Sequence, residues 1–300
     1  MNSKKLIVLV GPTAVGKTEV ALRLAEHFKT EIFSADSRQI YKELEIGTAK
    51  PTPEELSLVQ HHFINTHSIR QSYDAGAYGR EALALIHTLF EKHNTLILCG
   101  GSGLYIKAVL EGFDEMPEIP TGIRDQIIAE YELKGLPWLQ QVVREIDPDY
   151  FEQVDINNPQ RLIRALELFK ASGQRVSQLR VMEKRSHNFQ IIKIGLELDR
   201  EQLYTRIDTR MDVMIEKGLF NEVEHFFPNR NLNALQTVGY REIFDYLEGK
   251  YDREEAIRLL KRNTRRYAKR QLTWFKKDPE VMWFQADQVD QIIAYLDNIN

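Results

Sequence analysis

Between an apolar run and an amphipathic stretch lies Gly11-Pro12-Thr13-Ala14-Val15-Gly16-Lys17-Thr18, a placement that constrains the fold more than any other feature of the chain. The run before it, Lys5-Leu6-Ile7-Val8-Leu9-Val10, is almost wholly apolar and rich in β-branched side chains, as a buried parallel strand is. After it Val20, Leu24 and Phe28 recur at helical spacing, with Ala21 and Ala25 beside them. The sequence therefore predicts a helix that begins where the loop ends. Strand, glycine-rich loop and helix form the setting in which this eight-residue pattern grips phosphate. Backbone N–H groups and the positive end of the helix dipole converge there on an anion. Lys17 adds a full positive charge, and the Thr18 hydroxyl is placed to hold Mg²⁺. A chance glycine turn would not reproduce the whole pattern together with both flanks. The loop predicts a bound di- or triphosphate.

At 300 residues and 43% apolar, the chain has material for one large domain and a smaller one. Its single cysteine, Cys99, lies in an apolar run, which argues against disulfides, zinc fingers and secretion. The N-terminus passes directly into the first strand, leaving no room for a signal peptide. No apolar stretch approaches the ~20 residues of a membrane helix. The expectation is a soluble, cytoplasmic protein.

Net charge is −4, but its distribution is uneven. From Arg258 to Lys277 there are nine Lys or Arg residues and no Asp or Glu; setting them aside leaves 31 basic against 44 acidic residues, a balance of −13. A basic segment on an otherwise acidic chain predicts a local polyanion contact, and nucleic acid outweighs the alternative of a solvated helix face. Tyr267, Trp274 and Phe275 interleave with the charges, free to stack on bases or to pack inward.

Strands and helices alternate along much of the chain. Thr30–Ser34 reads as a second strand, Thr95–Cys99 as a third after a helical stretch over 75–92, Gln190–Leu198 as a fourth and Val281–Phe284 as a fifth. Together they predict an α/β fold with a parallel sheet flanked by helices. Residues 121–187 read differently, as several helices broken at Gly135-Leu136-Pro137, Asp147-Pro148, Asn158-Pro159 and Ser172-Gly173. We expect an α/β core of residues 1–120 and 188–300, and an inserted all-helical subdomain over 121–187.

Open parallel sheets place ligands at the C-terminal ends of their strands. Asp36 falls at such an end, open to roles as general base, Mg²⁺ ligand or helix cap. Gly100-Gly101-Ser102-Gly103 ends the third strand, where nucleotide-hydrolysing proteins often carry an Asp that helps to hold Mg²⁺. Glycines there suggest a diphosphate that is gripped without activating a water against it. Arg206 and Arg210, one helical turn apart, suit either a phosphate or an exposed helix face. His61 and His62 are adjacent, poor spacing for metal ligands on a helix, which favours packing or polar contacts.

These blocks together resemble the tRNA dimethylallyltransferases, also called tRNA isopentenyltransferases. The resemblance rests on Gly11–Thr18, Ser34-Ala-Asp-Ser-Arg-Gln-Ile-Tyr41, Ile46-Gly-Thr-Ala-Lys-Pro51 and His61-His62. It continues through Gly100-Gly-Ser-Gly-Leu-Tyr105, Asn158–Glu167, Val238-Gly-Tyr-Arg-Glu242 and Thr264–Phe275. The blocks keep the family's order over nearly the whole chain. Ser102 departs from the threonine common in the family's Gly-Gly-Thr block but keeps the hydroxyl.

The resemblance implies a P-loop NTPase-like core that transfers a dimethylallyl group from dimethylallyl diphosphate to N6 of the tRNA adenosine immediately 3′ of the anticodon. It implies catalytic roles for Asp36, Ser102 and Lys17, with Gly11, Pro12, Thr13, Ala14, Val15, Gly16, Lys17 and Thr18 cradling the diphosphate and Mg²⁺ on Thr18. Contact with tRNA is implied for Asp36, Ser37, Arg38, Gln39 and Ser102, and for Arg124, Gln160, Arg161, Leu162, Ile163 and Arg164 of the insertion. The same is expected of Arg265, Arg266, Lys269 and Arg270, in a protein that works as a monomer away from membranes. Three rival readings stand beside it: a small-molecule kinase, an isopentenyltransferase acting on free adenine nucleotides, and a non-catalytic RNA-binding protein.

Overall fold

Side chains of the first strand alternate between two apolar layers, and this sets the architecture. In a computed structural model, which describes residues 4–114, 116–179 and 185–299, β1 spans Lys5–Val10. Leu6, Val8 and Val10 enter one core cluster, while Ile7 and Leu9 enter another on the opposite face. A strand buried on both faces must carry apolar residues at consecutive positions, which is the pattern read above.

The sheet has six strands in the order β3-β2-β4-β1-β5-β6, all pairs parallel. Beyond β1 these are β2 (Ile32–Ser34), β3 (His61–His62), β4 (Thr95–Gly100), β5 (Gln190–Glu197) and β6 (Met282–Gln285). The expected five strands are all present, and β3 is an additional edge strand two residues long. It pairs Ile32 with His61 and Phe33 with His62, and two residues carry no periodicity to read. Residues Thr30 and Glu31 precede β2 rather than opening it. Among the described residues no helix is long and apolar enough to cross a membrane.

Two compact units divide the chain: Met1–Gly112 with Ser186–Asn300, and Phe113–Arg185. The helical unit starts before the expected residue 121 because Met116 and Ile119 pack on its core. Residues 180–184 of the expected insertion lie outside the described residues.

Within the helical unit, the interruptions have local causes. The helix Ile123–Ile146 is broken at Gly135, with Pro137 just beyond. The Asp147 and Asn158 side chains cap the helices Pro148–Gln153 and Pro159–Ser172, and Gly173 ends the second of these at φ 72°. Leu139, Val143, Leu162, Ile163 and Leu166 form the centre of this unit.

Candidate active site

The loop after β1 runs into the helix Lys17–Phe28. Lys17 turns back over the loop, its Nζ donating to Gly11 O at 3.0 Å and Pro12 O at 2.8 Å. Burial lowers its ammonium pKa to about 8, against the opposing influence of the Cys99 and Asp36 charges. A buried cation without a full counter-charge favours an anionic ligand that restores one. The helix Arg200–Glu216 brings two more cations. Arg206 donates to Val15 O at 3.3 Å, and Arg210 lies deep enough for burial to lower its pKa, with the Asp36 charge opposing. Both arginines, left open between phosphate and exposed helix face by the sequence, line the same cleft as Lys17 and Thr18.

That cleft has a volume of about 370 Å³, within the range of small-ligand sites. Asp36 faces it from the C-terminal end of β2. Its Oδ1 accepts the N–H groups of Arg38 (2.8 Å) and Gln39 (3.3 Å). The turn-capping role and a role in the cleft therefore coincide in one side chain. Oδ2 takes part in no hydrogen bond among the described residues, and so remains an available proton acceptor.

Gly100 and Gly101 line the cleft as the end of β4. A Cβ on Gly100 would stand 2.2 Å from the backbone oxygen of Ala35, so close approach of β2 and β4 demands glycine there. Ser102 departs from expectation. Its hydroxyl accepts from Ser37 N at 3.0 Å and donates to Ser37 Oγ at 3.3 Å, and it is not among the side chains lining the cleft. The residue holds the N-cap position of the helix Gly103–Leu110, which turns it toward the 36–39 turn. The hydroxyl braces that turn and also hydrogen-bonds the Tyr267 side chain, which lines the cleft.

Two further residues on the cleft, Tyr267 and Gln271, come from the helix Arg253–Phe275. Gln271 accepts from Thr13 N at 2.8 Å and donates to Gly101 O at 2.9 Å, tying the phosphate loop to the end of β4. Burial, with the Asp36 charge beside it, pushes the Tyr267 hydroxyl up to about 12. Tyr267 thus faces inward as a neutral hydroxyl. The sequence left its direction open and gave Gln271 no role, although their i, i+4 spacing marks a common helix face.

The remaining expected RNA contacts divide by environment. Arg38 donates to Asn233 O and Gln236 O. Gln39 accepts from Ser34 Oγ and donates to Thr48 O and Ala49 O, so it is occupied in shaping the cleft. In the helical unit Leu162 and Ile163 are 0% and 1% exposed. They belong to that unit's core, so their side chains are withdrawn from the expected RNA contacts. Gln160, Arg161, Arg164 and Arg124 are exposed, with Arg124 and Arg164 sharing the buried carboxylate of Glu167. Arg124 also donates to Gln160.

The basic helix has two faces. Lys261 and Arg265 form ion pairs with Asp212 and Asp208 at 2.6 Å each. Arg266, Lys269, Arg270 and Lys277 are exposed, and none has an acidic partner among the described residues. Trp274, 40% exposed, shares their face by helical spacing, whereas Phe275 is buried. Arg265, expected among the RNA contacts, is engaged with Asp208 in this structure and so helps to secure the helix. Arg265→Gln is expected to lower stability by about 1 kcal/mol, the scale of a partly exposed pair. Thermal unfolding of the purified variant checks this; an unchanged melting temperature would show that the pair contributes nothing.

His61 and His62 make polar contacts, with His61 Nδ1 on Val59 O at 2.8 Å and His62 Nε2 on Glu31 at 2.6 Å. Among the described residues no three His, Cys, Asp or Glu side chains cluster to hold a metal ion. A cation in this cleft would rest on the Thr18 hydroxyl and on the oxygens of its ligand, a donor set that suits Mg²⁺.

A parallel sheet places the loop after β1, three cations and a carboxylate on one cleft, an arrangement that suits an anionic ligand beside a proton acceptor. Comparison with known proteins gives this arrangement its lineage. The IPP transferase family model matches residues 39–278, and the chain belongs to that family. It is 50% identical to a tRNA dimethylallyltransferase of Cytophaga hutchinsonii, over 98% of this chain and 97% of that one. It is 45% identical to tRNA dimethylallyltransferase 1 of Phocaeicola vulgatus, over 98% of each. Among solved structures, the tRNA isopentenylpyrophosphate transferase of Bacillus halodurans superposes with a TM-score of 0.72 at 36% identity, covering 98% of this chain and 96% of that chain. A eukaryotic dimethylallyltransferase acting on tRNA gives a TM-score of 0.74 at 25% identity, covering 95% of this chain and 74% of that chain.

Proposed function

We propose that the chain is a tRNA dimethylallyltransferase. It moves the dimethylallyl group of dimethylallyl diphosphate to N6 of the adenosine immediately 3′ of the anticodon and releases diphosphate. The observation that carries this reading is Asp36 facing Lys17 and Arg210 across one cleft. Membership of the IPP transferase family and the activity in the relatives' names support it.

The exocyclic amine of adenine is a weak nucleophile because its lone pair is delocalised into the ring. As the N6–C1 bond forms, the amine proton passes to Asp36, which acts as general base. The C1–O bond breaks, and its electron pair leaves with the diphosphate. Lys17, Arg206, Arg210 and the loop N–H groups stabilise the charge that develops there. Mg²⁺, when bound at Thr18, supplies further positive charge to the diphosphate oxygens. The apolar tail lies among Ala21, Ile32, Ala49, Pro51 and Ile64, apolar residues that line the cleft. An unpaired anticodon-loop base enters at lower cost than a paired one. A single chain suffices, since loop, base and arginines all belong to one unit, and the cytoplasm is where such a chain meets tRNA.

The lowered pKa of Lys17 gives this reading a pH signature. Below about pH 8 the ammonium is charged; above it the loop loses its cation. Affinity for dimethylallyl diphosphate at fixed Mg²⁺ is therefore expected to fall about tenfold from pH 7 to pH 9. Lys17→Arg, which does not titrate in this range, flattens the profile. Calorimetry across that range checks it, and an affinity that holds or rises in the wild type would contradict the role of Lys17.

Labelled dimethylallyl diphosphate offered with tRNA or with AMP tests the acceptor. Label is expected in the tRNA alone. Transfer to AMP would establish the free-nucleotide reading, and phosphate release from ATP would establish a kinase. The glycines that end β4, where a hydrolase would present a carboxylate, count against the latter.

A further inference from the structure

Two motifs, Ile46–Pro51, which lends Ala49 and Pro51 to the cleft, and Val238–Glu242, are joined by a residue that neither contains. Glu222, in the helix Leu219–His225, accepts three consecutive backbone N–H groups. Its Oε2 accepts from Glu45 (3.1 Å) and Ile46 (2.7 Å), and its Oε1 from Gly47 (2.9 Å). The Tyr240 hydroxyl donates to Oε1 as well, at 2.5 Å.

Tyr240 is fully buried, and its ring lies on Gly47. A Cβ at position 47 would stand 2.4 Å from the ring carbon Cε2, so a larger residue would push the ring and the loop apart. Burial, with the Glu222 charge beside it, holds the Tyr240 hydroxyl far above the ordinary tyrosine range, so it stays a donor. From the other side, Gln39 donates to Thr48 O and Ala49 O, and Lys50 donates to Tyr41 O at 2.8 Å.

The segment 45–51 contains one short 3₁₀ turn, Ile46–Thr48, and Ala49 after it is left-handed at φ 48°. No strand ladder fixes this backbone; side chains do. Thr48, Ala49 and Pro51 from this segment line the cleft.

We propose that Glu222 and Tyr240 are positioning residues that hold the 45–51 loop as the wall facing the prenyl tail, and so limit the length of prenyl chain that the cleft admits. This inference rests on the prenyl diphosphate reading above. With the diphosphate fixed at Lys17 and Arg210, the tail must extend among the apolar side chains; of these Ala49, Pro51 and Ile64 lie outside regular structure, and Ala49 and Pro51 belong to the loop that Glu222 holds. Losing the carboxylate strands up to three N–H donors without their acceptor, and the wall must shift to satisfy them elsewhere.

The test is calorimetry on the full chain at fixed Mg²⁺ with inorganic diphosphate, dimethylallyl diphosphate and geranyl diphosphate. It compares the wild type with Glu222→Gln and Tyr240→Phe. Gln retains one acceptor oxygen and turns an NH₂ group toward donors. Phe preserves the buried ring on Gly47 and removes only the hydroxyl, so it keeps the test informative if Glu222→Gln folds poorly.

The wild type is expected to favour the five-carbon over the ten-carbon diphosphate by about tenfold or more. Both variants shrink that preference, Glu222→Gln by about fivefold or more and Tyr240→Phe by less, while inorganic diphosphate binds within about twofold of wild type. Three results would overturn the proposal: no preference in the wild type, an unchanged preference in both variants, or a parallel loss of affinity for inorganic diphosphate. Failure of the wild type to prenylate tRNA overturns the enzymatic reading instead, whatever the binding ratios.

Discussion

Asp36→Asn is expected to slow single-turnover prenyl transfer by ~10²–10⁴-fold, the usual contribution of a general base, while tRNA affinity stays within about twofold of wild type. The structure makes this substitution a clean test. Oδ1 of Asp36 accepts from Arg38 N and Gln39 N, and the carbonyl of Asn can accept both, so the turn that ends β2 survives. Only the capacity to take a proton is lost. Asp36→Ala would remove the turn's acceptor as well and confuse the two roles. Single-turnover rates with saturating tRNA and dimethylallyl diphosphate measure the effect, and a wild-type rate in Asp36→Asn would remove Asp36 from the chemistry.

The second large effect concerns the exposed face of the basic helix. Changing Arg266, Lys269 and Arg270 together to Gln is expected to weaken tRNA binding by about tenfold or more at moderate salt. The slope of log affinity against log salt should flatten by about 2 to 3, because each phosphate contact that is lost no longer releases condensed counterions. Affinity for dimethylallyl diphosphate should not change, since none of the three lines the cleft. Arg265 is left out because its pair with Asp208 at 2.6 Å fixes the helix; including it would mix a folding defect into a binding measurement. Filter binding at several salt concentrations reads both quantities. An unchanged affinity and slope in a folded variant would place the RNA elsewhere.

What the sequence discloses follows the range of the interactions involved. β1, the phosphate loop and the helix after it are legible because their pattern is local: six apolar residues, a fixed loop, an amphipathic helix. The caps at Asp147 and Asn158 are legible for the same reason, each acting within three residues. Contacts between distant segments are not. Gln271 reaches Thr13 across 258 positions and Gly101 across 170, and Glu222 holds Gly47 across 175. No spacing along the chain announces such pairs.

The basic segment shows the limit in another form. Its charge is plain from composition, but which cations face solvent depends on Asp208 and Asp212, carried by a helix some fifty residues away. Leu162 and Ile163 came into the expected RNA contact because they share a motif with Arg161 and Arg164. A motif records neighbours along the chain, whereas helical spacing sends the apolar pair to the core of their unit. Ser102 is a case of geometry within a motif, its hydroxyl turned to Ser37 by the start of the next helix.

Mass spectrometry of nucleosides from tRNA incubated with the wild-type chain, Mg²⁺ and dimethylallyl diphosphate tests the central claim most directly. The expected result is an adenosine heavier by one C₅H₈ unit, carried on N6 and confined to the position 3′ of the anticodon, with Asp36→Asn producing almost none. Unmodified tRNA after exhaustive incubation, or the same unit on another nucleoside, would contradict it.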